Sequence, residues 1–545
     1  MNRKRKILVT SALPYANGDI HIGHLLEYLQ TDFWVRFQKM CGHECLYMCA
    51  DDTHGTPVMI SARDKRISPE ELIAVFHERH IKDFKDFEIE FDNYYTTNSA
   101  ENKELSEEIY QKMVENGHIE EKPIKQLYCE HDAMFLPDRF VMGICPVCKA
   151  DNQYGDSCDL CSSTYNPGEL VNPRCVLCSN PPTEKESTHV FFKLNDFKDF
   201  LKEWVKLHTS QEIANKLREW LRDDLRDWDI SRDSPYFGFK IPGKPDKYFY
   251  VWLDAPIGYI ASTKNWCDRK GGDYKEFWKD EDSELYHFIG KDIIYFHILF
   301  WPAMLKNAGY KTPDEVFVHG FLTVNGEKMS KSKGTFIKAR TYLDFLDPIY
   351  LRYYYASKLT PSIDDVDLNL EDFVLRVNSE LIGKITNLAS RSIHMLKKIG
   401  LKIGGLSGDG LELVQSVQAK SDRIANLYED RSFSRVILAI RTISEQANKF
   451  IDEKEPWKVI KEDPEKTREV LAAVINVFRI ISVYLKPILP SYVRNVEELL
   501  KEGSYNWDSS KEILQYSEIK EYKHLTTRIE KETIEKILEA ARKEV

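Results

Sequence analysis

The hydrophobic pattern changes period along the chain, and each period predicts a different element. Residues 7–12 are a short, largely apolar run, which predicts a buried strand. Pro14-Tyr15-Ala16-Asn17-Gly18-Asp19 follows as turn chemistry. Leu25, Leu29, Phe33, Arg36 and Met40 then recur at helical spacing and stop at Gly42. Residues 44–49 read as a second buried strand that runs into the polar Asp51-Asp52-Thr53-His54-Gly55. Strand, helix and strand in that order predict a parallel sheet with its functional groups at the C-terminal strand ends.

From residue 128 to 182 the composition shifts to cysteine, proline, glycine and aspartate, which predicts an inserted, loop-rich module. Helical and mixed segments lead to about residue 231, and the α/β pattern then returns. Residues 285–290 read as a strand, 291–305 as its helix, and 315–319 and 321–324 as further strands. Asn325-Gly326 is a strong hairpin-turn pair. Beyond residue 370 the pattern is helical. Val374, Val377, Leu381, Ile385 and Leu388 advance by three or four and give one apolar stripe. A glycine-rich break at 400–410 separates that helix from several more, and a charged helical tail is expected over 520–545. The fold class is α/β: a Rossmann-like parallel sheet split by an insertion, followed by an all-α region.

At 545 residues the chain exceeds what one core accommodates, so several domains are expected. Hydrophobic residues make up 42% and charged residues 30%, which suits a soluble globular protein, and no apolar run is long enough to span a membrane. The basic start Met1-Asn2-Arg3-Lys4-Arg5-Lys6 lacks the apolar stretch and cleavage site of a signal peptide, so a cytoplasmic location is expected. A net charge of −11 argues against nonspecific coating of nucleic acid and leaves room for a local basic patch. Eleven cysteines in such a compartment stay reduced, so their spacing is read as metal ligation. Cys145-x2-Cys148 and Cys158-x2-Cys161 make a four-sulfur set for one tetrahedral, structural zinc. Cys175-x2-Cys178 is a third pair. With Cys129, and with Asp132 or His131 as fourth ligand, it is a candidate second zinc site. Cys41, Cys45, Cys49 and Cys267 are read as packing residues.

Two motifs carry the chemistry. His21-Ile22-Gly23-His24 sits between the first strand and its helix, where a helix N-terminus favours anions and Gly23 leaves room for an adenine or ribose against the backbone. Lys328-Met329-Ser330-Lys331-Ser332 sits on a serine- and glycine-flanked loop. A capped or packed histidine pair and a solvated lysine turn are the ordinary explanations of either string alone. Together, in α/β context, they predict a clamp on a triphosphate, with imidazole donors on one side and ammonium charge on the other.

With these motifs the chain resembles the class I aminoacyl-tRNA synthetases and, more narrowly and over nearly its full length, the methionyl-tRNA synthetases. The stretches that carry the resemblance are 14–24, the run Tyr250-Val251-Trp252-Leu253-Asp254-Ala255-Pro256-Ile257-Gly258-Tyr259, 288–297 and 325–331. The resemblance implies a methionine–tRNA ligase. The methionine carboxylate attacks the α-phosphate of ATP to give methionyl-adenylate and pyrophosphate, and the methionyl group then passes to tRNA(Met) for elongation and initiation. It implies catalytic roles for His21, His24, Lys328 and Lys331, and places Gly23, Glu27, Gly290, Met329 and Ser330 with them around ATP and its Mg²⁺. It implies that Asp52 anchors the ammonium of methionine, in a pocket of Leu13, Tyr15, Trp252, Ala255, Pro256, Tyr259, Ile293 and His297. Asn387, Arg391 and Trp457 match the family's anticodon readers, and Arg232 is a weaker candidate on the path to the acceptor end. The implied division is 1–117 and 231–324 for the two halves of the catalytic domain and 118–230 for the zinc-bearing insertion. Residues 325–370 form the lysine loop and linking segment, and 371–545 the helical anticodon-binding domain. Homocysteine differs by one methyl, worth only about 1–3 kcal/mol, so some discharge of that analogue is expected. A monomer is expected, because no C-terminal dimerisation module is present.

Three other functions compete: a synthetase for another apolar amino acid, a smaller adenylyl- or cytidylyltransferase, and a zinc-ribbon RNA-binding protein on a decayed catalytic fold. The matched pocket and compact cysteine insertion oppose the first. The long helical C-terminal region opposes the second, and the presence of both histidines and both lysines opposes the third.

Overall fold

The computed structural model describes residues 4–155, 158, 160–161, 163, 165–330 and 334–544. Its central sheet has five parallel strands. β1 (Lys6–Ser11) lies in the middle, flanked by β2 (Glu44–Asp51) and the Ser283–Gly290 strand, with β3 (Asn93–Thr96) and the Glu315–His319 strand at the edges. Thr10 sits beside Met48 on one side and His287 on the other. The chain winds away from β1 in both directions, so the strand order reverses there and opens a crevice beyond the C-terminal strand ends. Successive residues of β1 face opposite cores. Ile7 and Val9 join the core built with α1 (Ile22–Met40), while Leu8 joins the core built with the Val251–Lys270 helix. All three are fully buried, as a strand covered on both faces must be.

The insertion opens with the strand Ile119–Cys129, which pairs antiparallel with Thr183–Phe192 from Ile119 opposite Phe192 to Tyr128 opposite Thr183. This two-stranded arm carries the cysteine module at its far end. The C-terminal region is helical, around a Pro464–Leu485 helix that is buried along most of its length. No helix among the described residues is long and apolar enough to cross a membrane.

Several elements depart from the sequence pattern. The helix expected over 291–305 is a 3₁₀ turn (Lys291–Ile293), a π-turn (Phe296–Phe300) and then an α-helix (Trp301–Ala308). Pro302 has no N–H to give to the carbonyl four residues earlier, and the wider π-turn takes up that mismatch. The apolar stripe through Val377, Leu381, Ile385 and Leu388 is buried as expected, but Val377–Thr386 is wound as a π-helix. The strand expected over 321–324 leaves the main sheet. Leu322–Val324 pairs instead with Glu327–Lys328 and Val366–Leu368. A Cβ on Gly320 would lie 2.2 Å from the Asp364 carbonyl oxygen, so the exit from the main sheet requires glycine there. Asn325 and Gly326 both take positive φ, 51° and 76°, as the predicted hairpin turn demands. The tail is helical only over Lys531–Lys543; residues 512–530 are irregular. That last helix leaves the helical bundle and packs against Ala339–Leu343, close to the lysine loop.

The helical region is fastened to α1 by a buried ion pair. Arg352, on the Pro348–Lys358 helix, has no exposed surface. It donates to Asp32 at 2.6 Å, to the Phe87 carbonyl at 2.9 Å and to the Ile488 carbonyl at 2.6 Å. Asp32 also accepts from Arg36 at 2.8 Å. Burial alone would raise the Asp32 carboxyl, but Arg36 and Arg352 overcome it and hold the group below the usual carboxylate range. Asp32→Asn strands a buried guanidinium. It is expected to cost about 3–5 kcal/mol, measured as a lower urea midpoint. Lys449→Ala, at the exposed pair with Glu453 (3.6 Å), should cost no more than about 0.5 kcal/mol in the same assay.

Candidate active site and metal centres

α1 begins at the crevice with His21 as its N-cap. His21 Nδ1 accepts from the backbone N–H of Gly23 (3.1 Å) and His24 (3.3 Å), and His24 Nδ1 accepts from the His21 N–H (3.4 Å). The two rings thus form a capping box, and they stack with centroids 3.6 Å apart. With both Nδ1 atoms accepting, each neutral ring carries its proton on Nε2. Burial lowers His21 to about 4. Burial, with help from His21 and His80, lowers His24 well below the ordinary imidazole value. The helix start therefore offers two neutral N–H donors.

The lysine loop is joined to this turn through the backbone. Ile22 N–H donates to Ile337 (3.0 Å) and Ala339 N–H to Ile20 (2.8 Å). The neck of the loop is closed by the Ser330 N–H on Thr335 Oγ1 (2.9 Å) and the Thr335 N–H on the Ser330 carbonyl (3.0 Å). A Cβ on Gly23 would lie 2.5 Å from the Met329 methyl and 2.9 Å from the His21 ring. The space over Gly23 is therefore filled by the loop's methionine, where the sequence suggested room for adenine or ribose. Lys331 and Ser332 lie outside the described residues.

One cavity of about 760 Å³ is lined by His21, Gly23, His24, Glu27, Gly290, Lys328 and Met329 on one side, and by Leu13, Tyr15, Asp52, Trp252, Ala255, Pro256, Tyr259, Ile293 and His297 on the other. Ser330 stands just outside this lining. The backbone positions Asp52: its N–H donates to Pro14 (2.9 Å) and its carbonyl accepts from Ala16 (2.8 Å). The side chain is buried, and Oδ1 has no partner among the described residues. Burial, then Asp254 and Asp51, push its carboxyl well above the ordinary value. Asp254 itself is paired with His54. At the far wall the Tyr259 hydroxyl donates to His297 Nε2 (2.8 Å), and His297 Nδ1 donates to the Ile293 carbonyl (3.3 Å). Burial lowers His297 to about 4, so this wall is polar but uncharged. Trp252 stacks on Phe296 at 3.8 Å.

Glu27 is not a solvated helix residue. Its carboxylate accepts from the Ala12 N–H (2.5 Å) and from His319 Nε2 (3.1 Å), and burial raises its pKa despite His319. His319, Asp292 and Phe321 line the same cavity, although no local motif marks them. The available signal was position: His319 ends a parallel strand, and Asp292 lies two residues past the end of another.

In the insertion, the sulfurs of Cys145, Cys148, Cys158 and Cys161 all lie within 4.8 Å of one another. Cys145 and Cys161 are 3.9 Å apart, and Cys148 and Cys158 3.5 Å. Tetrahedral zinc with Zn–S of about 2.3 Å spaces its sulfurs by about 3.8 Å, so the set fits. Cys129, Cys175, Cys178 and Asp132 form a second cluster of the same size. Asp132 Oδ2 lies 3.1 Å from Cys129 and 3.2 Å from Cys175. His131 is exposed and bonds the outer oxygen of Asp132 at 3.1 Å, so of the two candidates Asp132 faces the cluster. Cys45, Cys49 and Cys267 are buried, and Cys41 is half-buried.

Far from the crevice, Asn387 and Arg391 lie one turn apart on the Asn387–Lys397 helix. The Arg391 guanidinium bonds Asp452 (2.8 Å) and lies 5.7 Å from the Trp457 ring, which is 42% exposed. Arg232 sits over the Tyr250 ring at 3.7 Å.

The family model described as tRNA synthetases class I (M) matches residues 7–393, and that of the anticodon binding domain of methionyl tRNA ligase matches 403–544. A methionine–tRNA ligase of Bdellovibrio bacteriovorus is 54% identical over 545 residues, covering all of this chain and 79% of that one. One from Francisella tularensis is 51% identical, covering 99% and 81%. Among solved structures, Mycobacterium tuberculosis methionyl-tRNA synthetase in complex with methionyl-adenylate has the same fold, with a TM-score of 0.80 at 24% identity over 96% of this chain and 99% of that one. The chain belongs to the methionyl-tRNA synthetases, the methionine branch of the class I aminoacyl-tRNA synthetases.

Proposed function

We infer that this chain is a methionine–tRNA ligase that first activates methionine with ATP and then transfers the methionyl group to tRNA. The observation that carries the site assignment is one cavity with two unlike ends: a buried, unpartnered carboxylate oxygen on Asp52 and the paired histidine donors at the start of α1.

Asp52 takes the α-ammonium of methionine. Leu13, Tyr15, Trp252, Ala255, Pro256 and Ile293 enclose the side chain, and Tyr259 with neutral His297 faces the sulfur. The methionine carboxylate then attacks the α-phosphorus, and the bond to pyrophosphate breaks. His21 and His24 donate N–H bonds to phosphate oxygens as charge builds up. Because both rings are neutral, the cationic part of the work falls to Lys328 and Lys331 on the departing pyrophosphate. Glu27 and Gly290 hold the nucleoside, with Gly23, Met329 and Ser330 seating the loop against the turn. Mg²⁺ bound to the incoming ATP would supply further neutralisation of phosphate charge. In the second step a hydroxyl of the terminal adenosine attacks the methionyl carbonyl, and AMP leaves. Arg232 lines the approach of that end, while Trp457 stacks on anticodon bases whose edges Asn387 and Arg391 read.

Structural zinc is held by Cys145, Cys148, Cys158 and Cys161, and a second ion by Cys129, Asp132, Cys175 and Cys178. The division into 1–117, 118–230, 231–324, 325–370 and 371–545 serves this scheme, with the helix Lys531–Lys543 of the last part reaching back to the Ala339–Leu343 helix. The enzyme works in the cytoplasm.

ATP–pyrophosphate exchange tests the reading: methionine supports exchange, and exchange with a different amino acid in its place would refute the specificity. Asp52→Asn removes a charged hydrogen bond worth about 1.5–3 kcal/mol. It should raise the KM for methionine by about 10- to 150-fold while moving that for ATP far less. Lys331→Ala should slow exchange by about 10²- to 10³-fold with methionine binding, followed by equilibrium dialysis, changed less than about threefold; parallel losses would remove the phosphate role. Metal analysis should find two zinc ions per chain, and Asp132→Ala should leave one. A single ion in the unmodified protein would eliminate the second site.

A further inference from the structure

One buried cluster takes no part in these steps. Asp51 is the last residue of β2, next to Asp52, and has no exposed surface. Its carboxylate meets three donors. His80 Nδ1 lies 2.6 Å from Oδ1, His77 Nδ1 lies 2.6 Å from Oδ2, and the Tyr94 hydroxyl also reaches Oδ1. Burial alone would raise Asp51, but the bonds from His77 and His80 hold it below the ordinary carboxylate range.

His80 comes from α3 (Pro69–Asp86), the helix after α2 (Thr56–Lys65), and is completely buried. Its second nitrogen, Nε2, lies 2.7 Å from the Gly18 carbonyl oxygen. A carbonyl can only accept, and so can the Asp51 carboxylate. A neutral imidazole has one N–H and would turn a lone pair toward one of these oxygens. Two acceptors at hydrogen-bond distance require two donors, so the ring is an imidazolium.

The connection made by this cation is specific. Gly18 lies in the turn that delivers His21 to the head of α1, and Asp51 adjoins the carboxylate assigned to the methionine ammonium. Backbone bonds between Asp52 and both Pro14 and Ala16 already tie the first half of that turn to β2. His80 ties the second half. We propose that His80 is a positioning residue for methionine activation: its imidazolium pins the histidine turn to the strand end that carries Asp52 and so sets the spacing between the ammonium site and the phosphate donors. The proposal rests on the ligase reading above.

The other charged or titratable groups around His80 do not compete for it. On α3, Asp83 is engaged by Arg340 at 2.6 Å. On the turn, Asp19 is engaged by Arg79 at 3.0 Å and Lys338 at 3.1 Å. His77 and Tyr94 both bond Asp51 themselves. His24, on α1, is close enough that the charge on His80 helps keep it neutral, the state in which it donates from Nε2. Burial opposes the cation on His80, but Asp51 prevails and its pKa is raised. A raised imidazole pKa means the pin is intact below the ordinary value of about 6.5 and is lost as pH climbs through the folded value.

The test is methionine-dependent ATP–pyrophosphate exchange from about pH 6 to 9.5 with the full chain, His80→Gln and His77→Gln. Glutamine stays neutral and cannot donate to both oxygens. H80Q is expected to lower kcat by about ten- to a hundredfold with the KM for methionine changed less than about threefold, and to lose the alkaline fall of the unmodified enzyme. H77Q removes a donor from the same carboxylate without touching Gly18, and should keep that fall and stay within about threefold in kcat. The ¹⁵N shifts of selectively labelled His80 at pH 6 should be those of an imidazolium, a result independent of whether H80Q folds. An H80Q profile that superimposes on the unmodified one, an H77Q that reproduces H80Q, or a neutral His80 ring each overturns the proposal. Absence of methionine-dependent exchange in the unmodified chain instead sinks the ligase reading, and this role with it.

Discussion

The guanidinium of Arg352 lies where no water reaches it, and Asp32 makes that burial tolerable. An unpaired charge at that depth would be expelled or would unfold its surroundings. Asp32 is also a residue of α1, the helix whose first turn carries His21 and His24. A single helix therefore presents the paired histidines to the cavity at one end and is gripped by the helical region along its flank. Trp34 donates to the Glu429 carbonyl at 3.2 Å, and Phe37 stacks on Tyr428 at 4.9 Å. The orientation of the anticodon-type domain and the orientation of the histidine turn are set by the same rod.

Charge in the crevice is sorted by burial. His21, His24 and His297 are too enclosed to take up a second proton at neutral pH, and the first two keep one N–H each as directional donors. The lysine of the loop that is described, Lys328, is exposed. Carboxylates are treated in the opposite way. Asp51 is surrounded by donors and stays ionised, whereas its neighbour Asp52 is left with an oxygen unmatched. Two adjacent aspartates thus sit in different settings: one is met by three donors, and the other keeps an oxygen without a partner among the described residues.

The sequence made some of this legible because some of it is local. The period change between residues 7 and 49 reveals a βαβ unit, and the cysteine spacing reveals a cluster of four sulfurs, since both are written in neighbouring positions. Leu13, Tyr15 and the cavity residues of 252–259 were found through resemblance, because an apolar pocket and an apolar core are the same string of letters. His319, Asp292 and His80 stayed hidden for another reason. Their importance comes from which strand or turn lies beside them, and strand order is a non-local property. The π-turns escaped because helical periodicity is insensitive to one added residue, and the irregular stretch 512–530 because a charged composition does not supply a buried face.

The histidine capping box has a consequence beyond its geometry. Each ring is a bridge with a backbone N–H on Nδ1 and, opposite it, the Nε2–H that the proposed function directs to phosphate. An anion that draws on the Nε2 proton makes Nδ1 a better acceptor, so binding and helix initiation strengthen one another. Such coupling is reciprocal by thermodynamic necessity. In the proposed complex the first turn of α1 is therefore part of the nucleotide's affinity, and the nucleotide is in turn part of the stability of that helix.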